Sequence, residues 1–100
     1  MRLLIVLSLE AYRKDVERIF AAQKISVYSG IDIQGFRPGT SSSFNSWFGS
    51  KNTGIYSLMQ FAFVPEDQAD GLLESIRHHN TAEDLAHPIH AFEMAVSRFV

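Results

Sequence analysis

Ile55-Tyr56-Ser57-Leu58-Met59-Gln60-Phe61-Ala62-Phe63-Val64-Pro65-Glu66-Asp67 decides the fold of this chain. A strand sends alternate side chains to opposite faces. Here Ile55, Met59, Phe61 and Phe63 take one face, and Tyr56, Leu58, Ala62 and Val64 take the other. Both faces are rich in apolar groups, so the strand belongs inside a sheet that is covered on both sides. Pro65 with Glu66 and Asp67 is a helix start, because Pro suits the first turn and carboxylates favour the positive end of the helix dipole. Ala69, Leu72, Leu73 and Ile76 supply the apolar stripe of a helix expected to end near His78. Gly71 within it costs about 1 kcal/mol relative to Ala, which the buried stripe offsets.

Toward the N-terminus, the polar-rich stretch from Arg37 to Thr53 holds Pro38, Gly39, Ser41, Ser42, Ser43, Asn45, Gly49, Ser50 and Asn52, and reads as a long loop. Before it, Ile25 to Phe36 alternates Val27, Ser29, Ile31 and Ile33 with Tyr28, Gly30 and Asp32, which predicts a strand. Val16, Ile19 and Phe20 recur at helical spacing opposite Arg13, Lys14, Glu17 and Arg18, which predicts a surface helix over 12–23. Leu3 to Leu9 is apolar apart from Ser8 and reads as a strand covered on both faces. The opening Met1-Arg2 and its apolar run resemble a secretory leader, but the run is short and passes into an acidic amphipathic helix without a small-residue cleavage site, so a core strand is the expectation.

On the other side, a polar link through Asn80, Thr81, Glu83 and Asp84 leads to a last strand over 89–99, with Phe92, Met94 and Val96 facing one way. The order β-α-β-β-α-β predicts an α+β, ferredoxin-like fold over the whole of 1–100, a four-stranded antiparallel sheet with both helices on one face. The helices leave the second sheet face bare, although the first and third strands are apolar on both sides. A second copy of the chain is the economical cover for such a face.

Composition narrows the function. The 100 residues carry a net charge of −2, 46% hydrophobic residues and no cysteine. One small domain is implied, and a domain of this size buries only about two-thirds of its unfolded surface, which again favours self-association. Without a Lys/Arg run the chain lacks the electrostatic footprint for nucleic acid or for a membrane surface. Without cysteine there is no disulfide framework, thiolate metal site or cysteine nucleophile.

Three stretches resemble the PII family of nitrogen-regulatory signal proteins. Lys14-Asp15-Val16-Glu17-Arg18-Ile19-Phe20 is similar to the family's first helix, Gly35-Phe36-Arg37 to the start of its long effector loop, and Phe63-Val64-Pro65-Glu66-Asp67-Gln68-Ala69-Asp70 to its strand end and second-helix start. The resemblance implies a cytoplasmic, non-enzymatic homotrimer whose sheets line the centre. It also implies a small-molecule effector in the clefts between subunits, and a mobile loop, here 37–53, that docks on a membrane transporter or an enzyme. Two departures qualify it. The family's Gly-rich, Lys-containing phosphate turn corresponds to Asn80–His90, which has neither Gly nor Lys and offers Glu83 and Asp84 instead; phosphate cradling needs close backbone N–H groups or a cation, so ordinary nucleotide binding is not carried over. The loop also lacks the Arg-Gln-Lys continuation after Gly-Phe and has no Tyr to be uridylylated.

The candidate site residues follow. Gly35, Phe36, Arg37 and Arg98 are the effector candidates, Arg98 being read on the last strand. Phe44, Trp47 and Phe48 are large aromatics in a polar loop, suited to anchor a partner or else to pack on their own domain. Four histidines, His78, His79, His87 and His90, crowd near the C-terminus, and imidazole is the commonest ligand for zinc, copper and nickel. His87 and His90 are the metal candidates, against the alternative of solvated loop histidines, and a site shared around a threefold axis would need only one from each chain. Ser41-Ser42-Ser43 lacks a nucleophile elbow, and no paired carboxylates or phosphate loop appear. Two alternatives share the fold: a divalent-cation tolerance protein of the CutA type, expected to hold metal at the His-rich end, and a small dimeric monooxygenase, expected to have a cavity between sheet and helices.

Overall fold

Strand β1 (Arg2–Leu9) alternates strictly, with Leu4, Val6 and Ser8 buried and Leu3, Ile5, Leu7 and Leu9 half-buried. In the computed structural model, which describes residues 1–35, 55–83 and 87–100, it is followed by a short 3-10 turn (Glu10–Tyr12) and helix α1 (Arg13–Ala22). Strand β2 (Ser29–Gly35), strand β3 (Ile55–Val64), helix α2 (Glu66–Glu83) and strand β4 (His90–Ala95) complete the order. The sheet runs β2-β3-β1-β4 with every neighbouring pair antiparallel. This is the predicted ferredoxin-like arrangement, and β3 has its predicted bounds.

The core lies between one sheet face and the two helices. Leu4, Val6, Ala62 and Val64 from the sheet meet Val16 and Phe20 of α1 and Ala69, Leu72 and Ile76 of α2. Ile25 and Ile89 close the two ends. Phe20 also stacks on Tyr28, with ring centroids 4.4 Å apart. Between α2 and β4 a recess of about 350 Å³ remains, with Leu73, Ile76, Asn80, Ile89 and His90 among its lining.

Helix α1 ends in a Schellman turn. Lys24 takes φ 61°, the Ile25 N–H donates to the Phe20 carbonyl (3.0 Å) and the Lys24 N–H donates to that of Ala21 (2.9 Å). Ile25 and Phe20, the apolar pair of such a motif, are both in the core. Gly71 has a packing reason: a Cβ there would collide with Oε1 of Gln23, whose amide nitrogen donates to Ser75 Oγ at 2.9 Å. The glycine leaves room for the Gln23 amide against α2.

Three boundaries differ from those read in the sequence. Helix α2 runs to Glu83, well past His78, so His79 to Glu83 are helical and no longer part of a polar link. The reason is tertiary: His79 lies 3.5 Å from Asp15 of α1, and Asn80 is bonded to the backbone of Ile89. Strand β2 begins at Ser29, because 23–28 makes the Schellman turn and its exit. Strand β4 ends at Ala95, where β1 runs out of residues to pair with, since Arg2 is opposite Ala95.

Candidate functional site

The sheet register shows what lies on the face the helices leave bare. Residues opposite one another across antiparallel strands share a face. His90, Leu7, Met59 and Ile31 form one row across the sheet, Phe92, Ile5, Phe61 and Ser29 the next, and Met94, Leu3 and Phe63 a third. Leu9, Ser57 and Ile33 complete the face beyond the first row. Apart from His90 and the serines it is wholly apolar, and Phe63 (57% exposed), Ile31 (49%) and Met94 (48%) stand out into solvent. The side chains come from all four strands, so the patch is continuous and far larger than scattered surface apolars would give.

The two ends of this sheet differ in character. Gly35 and Ile55 pair at the end where β1 also finishes, so the connection 36–54 leaves and returns there. Gly35 itself is buried. Phe36 and Arg37, and the aromatics Phe44, Trp47 and Phe48, lie outside the described residues. Helix α2 finishes at the same end, and so does the link that carries His87 into β4. Arg98 does not: it follows β4 past Ala95 and sits outside any strand, at the opposite end of the sheet and on the opposite edge from Gly35. Within one chain Arg98 and Gly35 therefore stand at opposite corners of the sheet.

The histidines diverge. His78 is exposed on α2, His79 faces Asp15, whose other oxygen pairs with Arg18, and His87 lies in the link. His90 opens β4 on the apolar face, opposite Leu7. Burial there lowers its pKa below the ordinary 6.5, because removing water penalises the imidazolium. Among the described residues no three His, Asp or Glu side chains are grouped to hold a metal.

The loop end is built by polar contacts that the sequence did not announce. The Asn80 side chain acts as a short strand: its Nδ2 donates to the Ile89 carbonyl at 2.8 Å and its Oδ1 accepts from the Ile89 N–H at 2.9 Å. This ties α2 to the start of β4 and fixes where the link begins and ends. On the other side, Arg13 grips Glu10 with two bonds, 2.7 and 2.9 Å, and reaches Asp32 of β2 at 3.2 Å. Its guanidinium holds the Glu10 carboxyl below the usual carboxylate range. At the opposite end of the sheet, Arg2 ties β1 to the first turn of α2 through Glu66 at 3.0 Å. A lone Asn in a polar stretch carries no periodic signal, so only its position next to Ile89 reveals its role.

A groove of about 550 Å³ opens at the far end of the sheet, between the last turns of α1 and the segment entering β2. It is lined by Glu17, Ala21, Lys24, Ile25, Ser26 and Tyr28. A smaller recess continues from it past Val27 to Phe63.

No family model and no curated protein sequence matches the chain. Solved structures do. The nitrogen regulatory PII-like protein CPII of Thiomonas intermedia K12, in its apo form, superposes with a TM-score of 0.64 at 17% identity over 97% of this chain and 91% of that one. The same protein bound to ADP, AMP and bicarbonate gives 0.62 at 17% identity, covering 99% and 94%. A PII-like signalling protein of Thermus thermophilus gives 0.65 at 12% identity, covering 93% and 83%. This chain has a PII-like fold.

Proposed function

We propose that this PII-like fold serves a homotrimeric regulatory protein that takes a small effector between subunits and passes the signal to a partner through loop 37–53. The observation that carries the reading is the bare apolar face running across all four strands. Water contact with such a face is costly, and cyclic self-association removes it. Both sheet edges, β2 and β4, pair on one side only among the described residues. Placing β4 of one copy beside β2 of the next uses both edges in one head-to-tail contact, which closes into a ring and leaves no edge to aggregate.

The effector belongs to the loop end, with Gly35, Phe36 and Arg37 on one copy, and Arg37 is the cation suited to an anion. The structural relative bound to ADP, AMP and bicarbonate makes small anions and adenine nucleotides the classes to try first, and the missing Gly/Lys turn favours the small anion over the phosphate chain. Phe44, Trp47 and Phe48 are the partner anchors, with a membrane transporter or an enzyme as the target. Among the described residues no helix is long and apolar enough to cross a membrane. A cytoplasmic site of action goes with this role.

Light scattering tests the assembly, with three times the 11.3 kDa chain expected. A thermal-shift screen of bicarbonate, AMP, ADP, 2-oxoglutarate and divalent metals tests the effector. A ligand at a hundred times its Kd adds about 2.7 kcal/mol, which in a domain of this size raises the midpoint by roughly 10 °C. Loss of that rise in Arg37→Ala places the ligand at the loop end. A trimer whose midpoint none of these compounds moves refutes the effector reading.

A further inference from the structure

One carboxylate in the sheet lacks a partner. Glu93 lies in β4, an edge strand, and its pairing with the buried Leu4 places it on the side of the sheet that the helices cover. Its Oε2 is buried and accepts no hydrogen bond among the described residues. A half-buried carboxylate is costly unless a cation or a donor meets it. At the other edge of the fold, Lys24 is a cation in the matching condition. It is exposed on the wall of the α1–β2 groove, and among the described residues it forms no ion pair.

We infer that Glu93 of one copy pairs with Lys24 of the neighbouring copy, and that this pair selects the strand that β4 meets. The inference rests on the association of copies proposed above, in which β4 of one copy lies beside β2 of the next. A rotation about an axis running along the strands keeps every residue at its own height in the sheet. Phe92, Ile5, Phe61 and Ser29 form one row. Phe92 therefore comes level with Ser29 of the next copy, and Glu93 with Tyr28, the residue before it. The faces agree as well. The Tyr28 ring stacks on Phe20 of α1, so it lies on the helix side, where Glu93 points. Tyr28 and Lys24 line the same groove.

Charge and distance fit only between copies. Among the residues that line the groove, Lys24 is the one cation, and Glu17 is the one acid. An incoming carboxylate thus has a single group to meet. Within one chain the pair is out of reach, because β3 and β1 separate the two edges, a gap of about 14 Å. A contact between two β4 edges with Glu93 opposite Glu93 would set like charges together, which is destabilising. An inward charge on an edge strand guards against such unwanted pairing. Here it leaves β2 of the next copy, beside Lys24, as the edge that satisfies it.

Sedimentation velocity across a dilution series reads the concentration of half-assembly. Glu93→Gln keeps the shape and removes the charge. Were Glu93 unpaired in the assembly, this change would relieve a desolvated carboxylate and tighten association. With Lys24 opposite, it should raise the half-assembly concentration about tenfold, three contacts being lost in one ring. Lys24→Met should do the same; Met must hold the same φ of 61°, so the backbone strain is kept and only the charge is lost. The double variant Glu93→Gln with Lys24→Met should cost no more than either single one, as for two groups that act on each other. Exchanging the charges, Glu93→Lys with Lys24→Glu, should return the half-assembly concentration to within about threefold of wild type, while each reversal alone disperses the oligomer. Circular dichroism confirms that every variant is folded, and the neutral pair decides where a reversal is not. A wild-type oligomer whose midpoint Glu93→Gln lowers, or moves by less than twofold, overturns the inference and leaves the association standing. Additive costs in the neutral double variant overturn it too. A wild-type protein with the mass of a single chain at every concentration overturns both readings.

Discussion

Phe63→Ala should weaken the assembly far more than it weakens the chain. Phe63 ends β3 on the bare face, beside Leu3, and is 57% exposed in the single chain. Complete burial of a Phe side chain is worth about 1.5–3 kcal/mol, so association has about 1–1.5 kcal/mol per copy still to gain. Three copies give about 3–4.5 kcal/mol for a trimer, and each 1.4 kcal/mol is a factor of ten. The trimer dissociation constant should rise by about 10²–10³, which moves the concentration of half-assembly by roughly 10–30-fold, its square root. Within the folded single chain the same truncation should cost only about 1 kcal/mol, because less than half of the ring is buried there. Sedimentation velocity across a dilution series measures the midpoint, and circular dichroism confirms that the monomer is folded. Phe63→Asp should be more severe, because a carboxylate would then have to be desolvated. Lys14→Asp, on the solvent side of α1, should leave the midpoint unchanged. A half-assembly concentration in Phe63→Ala within twofold of wild type would refute the reasoning.

Further outcomes follow from particular contacts. Asn80→Ala removes both bonds to Ile89 and strands the Ile89 N–H in a partly buried position, which should cost about 1–3 kcal/mol in urea unfolding. Asn80→Asp should also destabilise, since a carboxylate cannot donate to the Ile89 carbonyl. Lys24→Gly should stabilise by up to about 1 kcal/mol, because Gly adopts φ 61° without strain; a loss of stability would argue against the Schellman turn. His90, whose folded pKa lies below 6.5, is protonated more readily in the unfolded chain, so its contribution is neutral above that value and becomes destabilising as pH falls through it. His90→Gln should flatten the fall in midpoint between about pH 7 and 5, and an unchanged slope would assign that fall to other groups.

The parts of the candidate site that were legible in the sequence were those with a period. Alternation along β1 and β3 showed two apolar faces, and the register then placed Leu3, Ile5, Leu7, Met59, Phe61 and Phe63 together on the outer one. The helical stripes were equally plain, and their buried residues are Val16, Phe20, Ala69, Leu72 and Ile76. Features without a period were missed or misplaced. Asn80 read as a link residue because a side chain that imitates a strand leaves no pattern. Arg98 read as part of β4 because the alternation continues after pairing has stopped. Gly71 read as a weakness because only the approach of Gln23 shows what a methyl group would meet there.

The order of elements, the fold class and the two apolar faces of β1 and β3 were readable along the chain, because burial patterns are local and repeat every two or every 3.6 residues. Only the tertiary contacts set where α2 stops, at which end of the sheet Gly35 and Ile55 pair, and that Arg98 and Phe99 emerge at the other end. Those facts depend on strand order and direction. They arise from contacts between residues far apart in the chain, such as Asn80 with Ile89, Asp15 with His79 and Arg2 with Ala95, and no spacing along the chain encodes them.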